Sequence, residues 1–221
     1  MRTIVLAASK GGVGKTTLTA ALAAVAAQSE KVAVIDLDPQ QSLARWIELR
    51  QHYPGKAKSP VLFKDFEDLA AAVEKIRAQG YDWLFIDTPP ALMTHILPAI
   101  RTADLVLIPA TPSPLDVEAV EPIIEMCRDY KKNFEFILNM VAGQGAVAAG
   151  AIKYLRHEGK VLADLIASRQ IYSTAMSRGR TAPEADRTGK ATDEIKKLWK
   201  TVKADARRAK DTVLAKTRKR A

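Results

Sequence analysis

The stretch Ser9-Lys10-Gly11-Gly12-Val13-Gly14-Lys15-Thr16-Thr17 constrains this chain more than any other. It follows an apolar, β-branched run, Thr3–Ala8, and opens an Ala/Leu-rich helical pattern over Thr16–Gln28. Strand, glycine-rich turn and helix in that order make a cradle for an anion. The glycines let backbone N–H groups point inward, and the helix presents its N-terminus to the same place. Lys15 is placed to neutralise β- and γ-phosphate charge, and Thr16 to put a hydroxyl on Mg2+. The loop is also irregular. An ordinary phosphate loop has glycine where this chain has Ser9, and it needs one lysine, whereas Lys10 is a second.

Further apolar runs recur at Val32–Leu37, Val61–Phe63, Trp83–Ile86, Leu105–Pro109 and Phe134–Leu138, with a weaker one at Val161–Ile166. Between them lie helical patterns. Phe66, Leu69, Ala70, Val73 and Ile76 have helical spacing and stop at Gly80. Val117, Val120, Ile123, Ile124 and Cys127 do the same after an N-cap at Asp116, with Pro122 inside the pattern as a kink. Short buried strands alternating with amphipathic helices predict an α/β fold, a mostly parallel twisted sheet with helices on both faces. Ligands on such sheets bind at the carboxyl ends of the strands. Two strand patterns end in acids there: Val34-Ile35-Asp36-Leu37-Asp38-Pro39-Gln40 and Leu84-Phe85-Ile86-Asp87-Thr88-Pro89-Pro90. One such aspartate is as often a helix cap or turn residue. Three beside an anion cradle point to a nucleotide and its Mg2+.

The net charge of +9 is local: 12 of the 34 Lys+Arg, against 4 of the 25 Asp+Glu, fall in residues 190–221. A near-neutral body, 1–189, is therefore expected to carry a basic helical segment, 190–221, packed on the same domain. Ile195, Leu198, Trp199, Val202, Ala206, Ala209 and Val213 give that segment one apolar face. Lys196, Lys197, Lys200, Lys203, Arg207 and Arg208 lie on the rest and suit phosphate backbones or anionic lipid. No aromatics interleave with them, so sequence readout is not indicated. The single cysteine, Cys127, excludes an intramolecular disulfide framework and reads as a small buried hydrophobe. His52, His95 and His157 form no spaced ligand pair. The opening apolar run is too short for a signal peptide or membrane span, so a reducing, cytoplasmic setting is expected. Trp46, Trp83 and Met93 read as packing residues and Trp199 as the anchor of the terminal helix. Arg169 is open between a structural ion pair and a contact to DNA or a partner. Ala142–Ala151 reads as a loop running into a helix.

KGGVGKTT (10–17), DLDPQ (36–40), FIDTPP (85–90), LVLIPATPSPLDVEAV (105–120) and SRQIY (168–172) resemble the ParA/MinD family of deviant Walker A ATPases. Within it the resemblance is to the small ParA-type partition ATPases, and it covers nearly the whole chain. It implies a P-loop NTPase fold using ATP and Mg2+. It also implies roles. Lys10 matches the signature lysine that reaches a dimer partner's nucleotide, and Gly12 close dimer packing. Gly11, Val13 and Gly14 complete the loop around the phosphates. Lys15, Thr16 and Thr17 match the phosphate and Mg2+ contacts. Asp38 matches the acid that orients the attacking water, and Asp36 and Asp87 acids near the metal. Asn139 matches an adenine contact, and Pro109 through Asp116 a segment near nucleotide and dimer interface.

Lys10 close to the start argues against the large ParA type with an N-terminal DNA-binding module, and one cysteine against the nitrogenase iron-protein branch. Lys210–Ala221 offers only Val213 and Leu214 as bulky apolar residues, so a MinD-like membrane helix would bury little. The expectation is a nucleoid-associated ATPase that dimerises on ATP and binds DNA nonspecifically, without a membrane. A centromere-binding or adaptor protein would stimulate hydrolysis and so release it, segregating plasmid or chromosomal DNA. Alternatives are the positioning of a protein cargo on the nucleoid, a MinD-like membrane-surface ATPase, and a nucleotide-binding regulator that barely hydrolyses.

Overall fold

The computed structural model describes residues 1–52, 60–90, 93–143 and 145–218, with the backbone alone for 93–95 and 210–218. The side chains of Met93 and His95, Gln144, and the side chains from Lys210 onward, Val213 and Leu214 included, lie outside the described residues.

Seven strands form one sheet: β1 (Arg2–Leu6), β2 (Val32–Asp36), β3 (Val61–Phe63), β4 (Trp83–Asp87), β5 (Leu105–Ala110), β6 (Phe134–Leu138) and β7 (Lys160–Val161). Their order is β3-β2-β4-β1-β5-β6-β7, and every pairing is parallel. Alternate residues of each strand point to opposite faces, so the sheet divides its own side chains between two cores. Ile4, Leu6, Val34, Phe85 and Leu107 pack beneath α1 (Lys15–Ala26), α2 (Ser42–Gln51) and α10 (Lys190–Arg218). Val5, Ile35, Ile86 and Ile108 pack beneath α3 (Leu69–Ala78), α4 (Met93–Thr102), α6 (Glu121–Asp129) and α7 (Ala146–Glu158). The expected α/β architecture is the one observed. α3 starts where Asp68 accepts the N–H groups of Ala70 and Ala71, and its chain turns away at Gly80, φ +73°.

Two expectations need correction. The run Val161–Ile166 is not a strand throughout. Only Lys160–Val161 pairs, and the chain then touches β6 at two points, Leu162 N–H to the Phe136 carbonyl and Ile166 N–H to the Leu138 carbonyl. At the sheet edge a strand has one neighbour and no second ladder to hold it flat. The helix expected to follow an Asp116 cap is two helices, α5 (Pro114–Glu118) and α6. Ser113 is the N-cap residue of α5, Asp116 lies inside it, and Pro122 sits in the first turn of α6. There a proline's missing N–H costs no hydrogen bond, so it starts a helix and does not kink one.

The long α10 is held by its apolar face. Ile195, Leu198, Val202 and Ala206 are wholly buried. Trp199 meets Trp83 edge-on at 4.8 Å between centroids and Phe85 at 5.8 Å. Burying each large aliphatic side chain is worth about 1.5–3 kcal/mol. Among the described residues no helix is long and apolar enough to cross a membrane.

Candidate nucleotide site

Adjacent strands bring the loop and the acids to one edge of the sheet. Leu6, the last residue of β1, pairs with Asp87, the last of β4, and Asp87 pairs with Asp36, the last of β2. The loop between β1 and α1 turns through Gly12 at φ +81° and Gly14 at φ +91°, backbone that only glycine adopts readily. A Cβ on Gly14 would also collide with the side chain of Asn139. Lys15 is buried, with Nζ 3.1 Å from the carbonyl of Lys10. Burial lowers its pKa, against the opposing pull of Asp87 and Asp38.

Asp87 is fully buried. The Thr16 hydroxyl donates to its Oδ2 at 2.6 Å, and the Thr19 hydroxyl, which donates to the Lys15 carbonyl at 2.9 Å, lies 3.4 Å from its Oδ1. Burial pushes its carboxyl up to about 7, with Thr16 opposing and Asp36 reinforcing. Asp36 is committed to the backbone: Oδ1 accepts the Asp38 N–H at 3.0 Å and Oδ2 the Ala44 N–H at 2.9 Å. It therefore shapes the loop that carries Asp38. Asp38, half-buried, accepts the Gln40 N–H at 2.9 Å.

These donors are all hard oxygens, which suits Mg2+. That ion commonly takes one or two carboxylates and completes its shell with phosphate oxygens and water. Thr16 and Asp87 would hold it. Among the described residues no group of three His, Cys, Asp or Glu could hold an ion unaided, so such a cation would depend on the phosphates.

The two irregular residues of the loop have partners on the same neighbouring segment. The Ser9 hydroxyl donates to the carbonyl of Ala119, in the break between α5 and α6. Lys10 Nζ lies 3.0 Å from Asp116 Oδ1, and Asp116 Oδ2 accepts the Thr111 hydroxyl at 2.6 Å. Burial alone would raise the Asp116 carboxyl, but Thr111 and Lys10 hold it below the usual range. In this structure the extra lysine thus rests on an acid of its own chain, with 41% of its side chain exposed. Thr111 and Asp116 fall in the segment expected near the nucleotide, but this tether was not foreseen. The motif 105–120 follows the strand beside β1, and that adjacency was the available signal. Pro109, expected at the nucleotide, is buried inside β5 opposite Ile137 and does not line the adjoining cavity. It sits past Leu107, where the β1 ladder has ended, so a central strand accommodates it.

A cavity of about 420 Å³ adjoins the loop, between Gly14, Thr17 and Leu18 on one side and Asn139, Met140 and Arg169 on the other. Asn139 is buried and donates from Nδ2 to the Val13 carbonyl at 2.8 Å, so it braces the loop as well as walling the cavity. Arg169 resolves as a structural ion pair: Nη2 lies 2.6 Å from Glu194 Oε1. The Tyr172 hydroxyl donates to Glu194 Oε2 at 2.9 Å. Burial and that acid raise the phenol's pKa. Tyr172 entered only as part of the motif 168–172, and Glu194 went unnoticed, because the contact between them joins separate elements.

The basic face of α10 divides in two. Lys203 and Arg207 share Glu30, in the turn after α1, at 2.7 and 3.1 Å, and Arg208 pairs with Asp205 at 2.7 Å. Lys196, Lys197 and Lys200 are exposed and have no ion pair among the described residues. The thiol of Cys127 is buried and pushed up to about 12, which leaves it inert near neutral pH.

A glycine cradle, a buried lysine and aspartates at the carboxyl edge of a parallel sheet define a P-loop nucleotide-binding protein. Residues 4–182 match the CobQ/CobB/MinD/ParA nucleotide binding domain, and the chain belongs to that family. It is similar to "Maintenance of carboxysome distribution protein A" of Halothiobacillus neapolitanus, 29% identical over 89% of this chain and 94% of that one. It is similar to the chromosome-partitioning ATPase Soj of Thermus thermophilus, 27% identical over 95% of this chain and 98% of that one. Its fold superposes on the MinD cell division protein of Aquifex aeolicus with a TM-score of 0.78, at 23% identity, covering 92% of this chain and 98% of that one.

Proposed function

We propose that this chain is a positioning ATPase that hydrolyses ATP slowly to ADP and phosphate, pairs with a second copy while ATP is bound, and holds nonspecific DNA in that paired state. The observation that carries this reading is Lys10, a second, half-exposed cation at the mouth of a cradle whose own lysine, Lys15, is already in place. Lys15 and the loop N–H groups hold the phosphates, and Asp38 orients the attacking water. Lys10 leaves Asp116 to reach the nucleotide of the other copy. Bound Mg2+ would supply charge neutralisation between the β- and γ-phosphates. Catalysis of this kind is positioning plus electrostatic stabilisation, so a lysine given in trans ties oligomeric state to nucleotide state. Loss of the γ-phosphate removes what Lys10 grips, and the pair loosens.

Residues 1–189 and the basic segment 190–221 act as one body in this reading, with α10 facing DNA. A partner protein, centromere-binding or adaptor, stimulates hydrolysis. Likeness to Soj supports plasmid or chromosomal DNA as cargo. Likeness over nearly full length to a carboxysome distribution protein supports a second reading, a protein assembly carried on the nucleoid. Light scattering tests the switch. The native chain with ATP and Mg2+ should double in mass, and Lys10→Ala should bind ATP and stay single. A normal ATP dimer of Lys10→Ala would refute the trans role.

A further inference from the structure

Glu194 belongs to the basic helix α10, yet its carboxylate binds two residues that wall the cavity beside the phosphate loop. It receives Arg169 through Nη2 on Oε1 at 2.6 Å and Nε on Oε2 at 3.3 Å, and the Tyr172 hydroxyl on Oε2 at 2.9 Å. Only 18% of its side chain is exposed. Arg169 and Tyr172 both line the cavity. They stand at the start of α8 (Gln170–Met176), where the Arg169 backbone is the cap residue. One carboxylate therefore sets the position of two wall side chains at once. A planar, bidentate arginine–carboxylate pair fixes the guanidinium in orientation as well as place. The same pair neutralises a cation that would otherwise face the cavity uncompensated.

The opposite wall is small and largely apolar, Gly14 and Leu18 with Thr17 beside them, and Asn139 and Met140 close the cavity between. A slot with an apolar floor and a few fixed polar groups, opening onto an anion cradle, suits the base of a nucleoside triphosphate.

We propose that Glu194 is a positioning residue for base recognition, holding Arg169 and Tyr172 so that the cavity accepts the base of the bound nucleotide. This rests on the nucleotide reading above and adds the part of the site that the phosphate loop cannot supply. It also makes α10 a component of the nucleotide pocket and not only its neighbour.

The test compares two ligands that share phosphates but differ in the base: ATP and inorganic tripolyphosphate, each with Mg2+, titrated calorimetrically. Glu194→Gln keeps the side chain's size and removes its charge. It should weaken ATP about tenfold, the scale of one or two lost charge-assisted hydrogen bonds, and leave tripolyphosphate within about twofold. Tyr172→Phe removes a single donor and should weaken ATP about threefold with the same insensitivity to tripolyphosphate. Unchanged ATP affinity in both variants overturns the proposal. Equal weakening of both ligands overturns it as well, since that is the mark of a general loss of structure. If the native chain binds ATP no better than tripolyphosphate, the cavity is not a base site. If it binds neither, the nucleotide reading itself has failed.

Discussion

In the proposed dimer Lys10 would have two acceptors to choose from, its own Asp116 and the nucleotide of the other copy. The pair at 3.0 Å is partly open to solvent, so it is worth at most about 1 kcal/mol. That is small enough for a phosphate to win and large enough to matter at limiting ATP. Asp116→Asn should therefore raise the dimer fraction at sub-saturating ATP, by up to about fivefold per Lys10 and so up to roughly thirtyfold in the apparent dimerisation constant. Sedimentation of the two proteins across an ATP series measures this, and an unchanged or weakened dimer would show that Asp116 does not hold Lys10 back. At this scale the sequence was half legible. The types and order of Lys10, Lys15, Thr16 and the aspartates announced a phosphate site, because that chemistry is local to a loop and two strand ends. The partners of Ser9, Lys10 and Arg169 were hidden, because contacts such as Arg169 to Glu194 form only when separate elements pack.

Among the elements, α2 stands directly behind the loop that carries Asp38, and it is clamped from outside. Arg50 on α2 lies in a bidentate pair with Glu184 of α9 (Ala182–Ala185), and Trp46 donates from its indole to the Arg180 carbonyl at 3.0 Å. Burial would raise the Glu184 carboxyl, but Arg50 and Thr181 outweigh it and hold it low. A carboxylate depressed in the folded state contributes stability above its ordinary value of 4.5, and that stability is lost as pH falls through the lowered one. Glu184→Gln should cost about 3 kcal/mol at neutral pH, as removing one member of a buried pair does. The gap in melting temperature from the native chain should shrink below pH 4.5. A gap independent of pH would assign the loss to packing. The elements themselves were legible where apolar runs are compact: Phe134–Leu138, almost wholly buried, and Val61–Phe63, an edge strand with Val61 exposed, were found residue for residue. They were not legible at the β7 edge, nor at Pro122, whose role depends on which turn of a helix it occupies.

For the whole molecule, the uneven charge becomes a surface only after internal pairing is subtracted. Glu30 and Asp205 occupy Lys203, Arg207 and Arg208, so, beside Lys190 at the helix start, Lys196, Lys197 and Lys200 are the cations α10 has left to give among the described residues. Replacing these three with glutamine should lower the log–log salt slope of ATP-dependent DNA binding by roughly 3 per protomer, if each neutralises one phosphate. A fluorescence-anisotropy salt series measures it, and a slope equal to the native one would put the DNA surface elsewhere. The same variant should leave ATP affinity intact, because Glu194 lies on the inward side of the helix.

Ser9 gives this architecture a mechanical property that no single contact has. Its hydroxyl moors the phosphate loop to the break between α5 and α6, over one face of the sheet, while Glu194 moors the neighbouring cavity wall to α10, over the other. A nucleotide settling between these moorings pulls on both layers of the molecule at once. Occupancy is then felt on both flanks of the sheet, the one that carries Asp116 and the one that carries the basic helix.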